Sequence, residues 1–217
     1  EEQSPDIHIP ELARDVLEQI SFEARKSDYV DSKSGVSARM SITAFENLLS
    51  TAKRRMLMNG DDQTSLRMAD FLGVISAING KIELVYEGEQ EGAEQISYYL
   101  ITQAVKTLFP LYFPEIKKLE KEEEIGPYDK LLGWFFKDNE LFLGDTLNDK
   151  KYHSLLNELP DVDKILKTYQ PNIKSEDKYF LIEFLLWGLE AHKKLNKYRT
   201  LEGFQFKDTL GSYISRL

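Results

Sequence analysis

Cysteine is absent from the 217 residues of this sequence, and several other features are missing with it. Without cysteine, disulfide bonds, zinc–thiolate sites and thiol chemistry are all excluded, which fits a cytoplasmic protein. The sequence has no uninterrupted run of roughly 18 apolar residues, the length that a membrane-spanning helix requires. No secretory signal peptide opens the chain. Because the first residue is not methionine, we expect the chain to be a piece of a longer protein.

Loops that bind the phosphates of a nucleotide are missing as well. A P-loop needs a Gly-Lys pair followed by Ser or Thr, whereas the only such pair, Gly80-Lys81, is followed by Ile82. A G-x-G-x-x-G dinucleotide loop is absent too. The three histidines are scattered and do not have the spacing of a metal site. We therefore expect that this chain does not hydrolyse a nucleotide alone.

An excess of basic residues is also missing, because the formal net charge is −9 and the isoelectric point is near 5.0. Nonspecific binding to nucleic acids or anionic membranes depends on a basic face, so neither partner is expected. A helix-turn-helix DNA-binding protein is disfavoured for the same reason. Apolar residues make up 41% of the chain and charged residues 30%, proportions that are typical of soluble globular domains.

Apolar residues recur at intervals of three and four along most of the chain, which predicts amphipathic helices and a mainly α fold. The first helix is predicted from Pro10 to about Lys26, and a third over residues 69–78. Between them, a second helix is predicted to begin at Arg39. Its predicted apolar stripe consists of Ile42, Phe45, Leu49, Ala52 and Met56. Strand-like alternation is confined to short pieces at residues 82–86, 141–143 and 204–206.

Three segments are predicted from this pattern. Residues 1–80 are predicted to form a compact helical domain. Residues 81–125 connect it to a second helical domain, residues 126–217, through a short strand and helices. The dipeptide Gly126-Pro127 is the predicted boundary, because glycine and proline both interrupt regular structure.

The connection and the second domain carry more detailed predictions. Residues 87–92 are predicted to be an acidic turn, and a helix over 93–109 is predicted to end or kink at Pro110. In the second domain, Asn148 is predicted to cap the start of a helix. The last helix is predicted over residues 175–197, with apolar residues over a wide arc that should form the core of this half.

The turn before the second helix is the most informative part of the sequence. It reads Gly35-Val36-Ser37-Ala38-Arg39 and delivers one arginine to the start of a helix. A guanidinium group is permanently charged, and its planar set of donors matches the oxygens of a phosphate. Arg39 is therefore a candidate for contact with a nucleotide phosphate, and Ser37 is expected to orient the turn.

The helices of residues 10–80 resemble the lid of AAA+ ATPases, in the group similar to the magnesium chelatase ATPase subunit and the MoxR ATPases. Members of that group have a Gly-x-Ser-x-Arg turn at this place, followed by a helix with a basic end and a short acidic loop. The corresponding segments here are Lys53-Arg54-Arg55 and Asn59-Gly60-Asp61-Asp62. Arg67-Met68-Ala69-Asp70-Phe71 is similar to the start of the last lid helix. Residues 81–89 resemble the continuation seen in chelatase-like ATPases of bacteria.

This resemblance implies that Arg39 is the sensor 2 arginine, with Ser37 and Gly35 shaping its turn. It would reach the γ-phosphate of ATP, bound with magnesium by a P-loop domain that precedes the lid in the full-length protein. The resemblance also implies a ring of neighbouring subunits, often hexameric, that remodels a partner protein. Such a partner commonly contains a von Willebrand factor A domain. Insertion of magnesium into a porphyrin is not implied.

Two questions remain open at the level of the sequence. The alternative function is a stand-alone helical interaction or scaffold module, in which Arg39 is an ordinary surface residue. The cluster Lys53, Arg54 and Arg55 is either a solvated helix end, favoured by the helix dipole, or a contact with a neighbouring subunit or partner.

Overall fold

The computed structural model describes residues 6–33, 36–37, 39–79, 81–116 and 126–209. Most of these residues are helical, which confirms the predicted mainly α class. The chain divides into two compact units, Glu1–Leu108 and Phe109–Leu217. None of the helices in the described ranges combines the length and the apolar character that crossing a membrane would need.

The first unit is built mainly from helices. Its elements are β1 (Ile7–His8), α1 (Glu11–Lys26), α2 (Arg39–Asn59), β2 (Thr64–Ser65), α3 (Val74–Asn79), α4 (Tyr86–Glu91) and α5 (Ala93–Tyr112), whose last residues belong to the second unit. Strands β1 and β2 pair in parallel. The buried face of α1 includes Leu12, Val16, Ile20 and Ala24, as the four-residue spacing predicts.

The buried face of α2 differs from the predicted stripe. Its buried apolar residues are Met40, Ala44, Leu48, Ala52 and Met56. Ile42 is 61% exposed, and Phe45 and Leu49 are only half-buried. The predicted stripe and the observed face both have helical spacing. The predicted stripe contains one small residue, Ala52, whereas the observed face contains two, Ala44 and Ala52. Because α1 and α3 both pack against α2, these small residues allow neighbouring backbones to approach closely.

The predicted third helix and the strand after it are also different in the structure. The segment Met68–Gly73 is a 3-10 helix, and only Val74–Asn79 is α-helical. In place of a strand at residues 82–86, two isolated bridges join Val36 to Ile82 and Val30 to Leu84.

The acidic turn predicted at residues 87–92 is instead part of helix α4. Gly92 follows this helix with a φ of +92°, a conformation that glycine adopts without strain. Helix α5 continues past Pro110 to Tyr112, so the proline does not end it. Gly80 and residues 117–125 of the predicted connection lie outside the described residues.

The second unit combines helices with a small antiparallel sheet. Its elements are α6 (Asp129–Phe135), β3 (Leu141–Gly144), α7 (Asp149–Asn157), α8 (Val162–Tyr169), α9 (Lys178–Ala191), β4 (Asn196–Arg199) and β5 (Gly203–Lys207). The strand order is β3-β5-β4. The strands predicted at residues 141–143 and 204–206 are therefore confirmed, and they pair with each other, Leu141 opposite Phe206 and Leu143 opposite Phe204.

The last predicted helix is shorter than expected. The segment 175–177 is a 3-10 turn, α9 ends at Ala191, and residues 196–199 form β4. Lys193 has a φ of +60°, a left-handed conformation that cannot continue an α-helix. The predicted cap is confirmed, because the side chain of Asn148 accepts a hydrogen bond of 2.9 Å from the backbone N–H of Lys151.

Candidate functional site

Arg39 is the first residue of α2, as the sequence predicts, and its side chain is exposed. No residue in the described part of the chain forms an ion pair with it. The first turn of α2 contains no acidic residue. A cation at this end does not stabilise the helix, because the N-terminus of a helix already carries a partial positive charge. The two charges instead favour an anion in front of the helix.

The turn that carries Arg39 is anchored by a segment distant in sequence. The backbone N–H of Ser37 donates to the carbonyl of Lys81 at 3.2 Å, next to the bridge between Val36 and Ile82. A second hydrogen bond joins the same two segments, because the backbone N–H of Asp31 donates to the carbonyl of Glu83 at 2.8 Å. The start of α2 is thus held by residues 81–83.

Ser37 orients this turn through both its side chain and its backbone. Its Oγ accepts a hydrogen bond from the backbone N–H of Arg39 at 3.3 Å, and its carbonyl accepts one from Met40 at 2.9 Å. Met40 is buried, so it fixes the first turn of α2 in the core. Gly35, the third residue predicted for this site, lies outside the described residues, and so does Ala38.

The basic cluster at the end of α2 is divided by the fold. Lys53 and Arg54 are exposed, as a solvated helix end or a contact surface requires. Arg55 does not fit the prediction, because it is only 4% exposed and pairs with the carboxylate of Asp70. Arg55 also donates to the carbonyl of Ser65 at 2.7 Å. Its role is therefore internal, and it is not available to a subunit or partner.

Asp70 is the buried counterion of Arg55. Burial raises the pKa of the Asp70 carboxyl above its ordinary value, and the attraction of Arg55 only partly opposes this. The second carboxylate oxygen accepts a hydrogen bond from the backbone N–H of Arg67 at 2.8 Å. One feature of the sequence indicates that Arg55 is buried. Arg55 lies between Ala52 and Met56 on the buried face of α2, a position that charged residues rarely occupy.

A second buried polar cluster, which the sequence analysis missed, lies in the second unit. The hydroxyl of Tyr152 on α7 donates to Glu183 on α9 at 2.6 Å, and both residues are buried. Lys197 on β4 forms an ion pair with Glu190 at 3.0 Å, and its Nζ lies 3.3 Å from the ring centroid of Trp187. Burial lowers the pKa of Lys197, and Glu190 partly opposes this. These contacts join α7, α9 and β4, which is a structural role.

The chemistry available at Arg39 is anion recognition by one exposed guanidinium on an anchored helix end. Across the described ranges, no group of three or more His, Asp or Glu side chains is arranged to hold a metal ion. Comparisons with models of protein families, with curated proteins and with solved structures found no match to this chain.

Proposed function

We propose that the first unit is the lid of a magnesium chelatase-like AAA+ ATPase and that Arg39 is its nucleotide sensor. The observation that carries the proposal is the contrast between two arginines on one helix. Arg55 is buried and paired with Asp70, whereas Arg39 is exposed and forms no ion pair with a described residue. Its exposed position at the start of an anchored helix is the one that contact with a phosphate on another domain requires.

The anchored turn gives this sensor a way to transmit its state. Because Ser37 bonds to Lys81 and Met40 is buried, a force on Arg39 acts on α2 and on residues 81–83 together. A guanidinium that contacts the γ-phosphate of ATP loses a charge-assisted contact when that phosphate leaves. Hydrolysis would then change the orientation of the whole lid.

The rest of the proposal follows from the resemblance to this ATPase group. ATP and magnesium would be bound by a P-loop domain of the full-length protein, in a ring of neighbouring subunits in the cytoplasm. Lys53 and Arg54 remain candidates for contact with a subunit or partner. Residues 126–217 would bind the remodelled partner, which in this group commonly contains a von Willebrand factor A domain, or would support ring assembly.

Replacing Arg39 with alanine in the full-length protein is expected to lower the rate of ATP turnover by about 10³-fold, because arginine contacts to a transferring phosphoryl group have effects of this size. The measurement is steady-state phosphate release. The matched control is Arg25→Ala, which removes another exposed arginine of the same unit. A rate for Arg39→Ala equal to that of the control would reject the sensor role.

An independent observation tests the ATPase itself. The reading frame upstream of this chain is expected to encode a strand followed by Gly-Lys-Thr or Gly-Lys-Ser, the signature of a P-loop. If the natural protein has no such segment, the stand-alone interaction module becomes the better interpretation, since the described residues alone contain no nucleotide-binding loop.

A further inference from the structure

One face of the small sheet in the second unit exposes aromatic side chains. The other face is part of the core, and its buried apolar residues are Leu141, Leu143, Phe204 and Phe206. On the exposed face, Phe142 is 40% exposed and Tyr198 is 38% exposed. An antiparallel sheet commonly has one face in water, but polar side chains usually occupy that face. Two exposed aromatic rings on it are instead typical of a binding surface.

The two rings belong to one row across the three strands. Gln205 of β5 is directly opposite Phe142 of β3 on one side and directly opposite Tyr198 of β4 on the other. Residues that are directly opposite each other lie on the same face of a sheet. Because neighbouring strands are about 4.8 Å apart, the positions of Phe142 and Tyr198 are about 9.6 Å apart. This aromatic row, defined as Phe142, Gln205 and Tyr198, has a ring at each end and an amide in the middle.

The amide of Gln205 is held in position by a neighbour on the same face. Its Nε2 donates to a carboxylate oxygen of Glu140 at 2.5 Å, and Glu140 also forms an ion pair with Lys207. A primary amide has two N–H donors, and no second described residue accepts from Gln205, so one donor remains for a ligand. The aromatic row thus offers an oriented hydrogen-bond donor between two apolar rings.

These dimensions fit a peptide in the polyproline II conformation. This helix has three residues per turn and rises about 3.1 Å per residue, so residues i and i+3 lie about 9.3 Å apart on the same side. Prolines at i and i+3 can therefore pack on both rings of the aromatic row at the same time. Polyproline II has no internal hydrogen bonds, so a carbonyl between the two prolines is free to accept from Gln205. Proline-rich segments are commonly bound on aromatic surfaces in this way.

The charges of the chain favour a peptide that also carries basic residues. The cations of the sheet are already neutralised, because Lys207 pairs with Glu140 and Arg199 donates to both carboxylate oxygens of Asp145. Glu202, in the turn between β4 and β5, is exposed and forms no ion pair with any described residue. The net charge of the chain is −9. A basic peptide is therefore attracted, whereas single-stranded nucleic acid, whose bases also stack on aromatic rings, is repelled.

We propose that the aromatic row binds a proline-rich segment of a partner protein, with the pattern Pro-x-x-Pro and a flanking arginine or lysine. Phe142 and Tyr198 each cover one proline ring, and Gln205 donates to the peptide backbone between them. The negative charge of the chain attracts the basic residue. The contact involves neither Arg39 nor a nucleotide, so its test is separate from that of the proposed sensor function.

The test is the fluorescence anisotropy of labelled peptides titrated with the full chain of 217 residues, without nucleotide. The first peptide repeats Pro-Ala-Ala three times and ends in two arginines, so its prolines are spaced by three. The second peptide has the same length and charge but alternates proline with alanine, so none of its prolines are three residues apart. The first peptide is expected to bind at least about fivefold more tightly, although it contains less proline, because only it can place one proline on each ring.

Phe142→Thr and Tyr198→Thr are each expected to weaken binding of the first peptide by about tenfold, since an aromatic anchor is lost. Both positions are exposed and threonine is favourable in strands, so both variants are expected to fold, which circular dichroism checks. The matched control is Phe136→Ala, which removes another exposed aromatic ring of the second unit and is expected to leave binding unchanged. Arg39→Ala is also expected to bind the peptide normally.

Three outcomes would overturn the proposal. The first is that the unmodified chain binds neither peptide or binds both equally, a comparison that does not depend on the folding of any variant. The second is unchanged binding of the first peptide by folded Phe142→Thr or Tyr198→Thr. The third is that an oligothymidylate or a cello-oligosaccharide binds the aromatic row in place of the peptide, which would mean that the row stacks bases or sugar rings.

Discussion

Replacing Arg55 with alanine is expected to lower the free energy of unfolding by about 3–5 kcal/mol, because it leaves the buried carboxylate of Asp70 without its cation. The change also leaves the carbonyl of Ser65 without its donor from Arg55. Domains of this size are stable by only about 5–15 kcal/mol, so the variant should unfold at a much lower urea concentration. The matched control is Arg54→Ala at the next, exposed position, which should change stability by less than about 0.5 kcal/mol.

The cost of Arg55→Ala is also expected to depend on pH. Without Arg55, burial raises the pKa of Asp70 further, because the main attraction that opposes it is gone. A carboxyl whose pKa is raised by folding favours the folded state at low pH, below its unfolded pKa. This contribution is lost as the pH rises through the folded pKa. The loss of stability should therefore be larger at pH 8 than at pH 5.

Adding Asp70→Asn to Arg55→Ala should recover part of the stability and remove the pH dependence. The amide oxygen can still accept the hydrogen bond from the backbone N–H of Arg67, and the carboxylate that lost its ion-pair partner is no longer present. Equal stability of Arg55→Ala and Arg54→Ala in urea would show that the buried pair is not needed for the fold.

Replacing Phe109 with alanine is expected to cost about 3–5 kcal/mol of stability in the second unit, because truncation of a buried aromatic ring leaves a cavity. Phe109 is completely buried. Its ring centroid lies 5.4 Å from that of Phe113, 6.3 Å from Phe184 and 6.1 Å from Tyr128. The loss should be measured by urea unfolding with a probe of the second unit, such as the fluorescence of Trp187.

The same ring should decide whether a second substitution, Gly188→Ala on α9, raises or lowers the stability of the unit. Alanine normally stabilises a helix interior by about 1 kcal/mol relative to glycine. Here its Cβ would overlap the ring of Phe109, which is completely buried, and overpacking costs about 1–3 kcal/mol. Gly188→Ala should therefore be destabilising in the unmodified chain and neutral or stabilising when combined with Phe109→Ala.

Gly133→Ala on α6 is the matched control for this pair of substitutions. A Cβ at Gly133 would meet no atom within 4 Å, so this change should stabilise the unit by up to about 1 kcal/mol. If Gly188→Ala proved as favourable as Gly133→Ala, the close packing of α9 against Phe109 would be incorrect.

Much of the fold could be predicted in segments whose pattern of apolar residues is compatible with only one structure. The spacing in α1 and the paired sequences Leu141-Phe142-Leu143 and Phe204-Gln205-Phe206 belong to this class. The face of α2 could not be predicted, because two stripes with the same spacing overlap and only the packing of α1 and α3 selects between them. Strand β4 was missed because Asn-Lys-Tyr-Arg lacks apolar alternation, and its pairing with β5 is what makes it a strand.

The candidate site shows the same division. The position of Arg39 at the start of α2 follows from its local sequence, and so does the role of Ser37 in the turn. The bonds to residues 81–83 and the burial of Arg55 beside Asp70 both depend on residues that are distant in sequence. The sequence alone therefore predicts that Lys53, Arg54 and Arg55 share one exposed surface, although Arg55 is part of the core.

The strand order β3-β5-β4 has a consequence for synthesis of the chain. Both outer strands pair with β5 alone, and β5 is the latest of the three in the sequence. While translation has not yet passed Lys207, the backbone N–H and C=O groups of β3 lack the strand that they pair with in the folded unit and remain open to unwanted association. Assembly of this sheet therefore waits until β5 has been synthesised, although β3 is made more than fifty residues earlier.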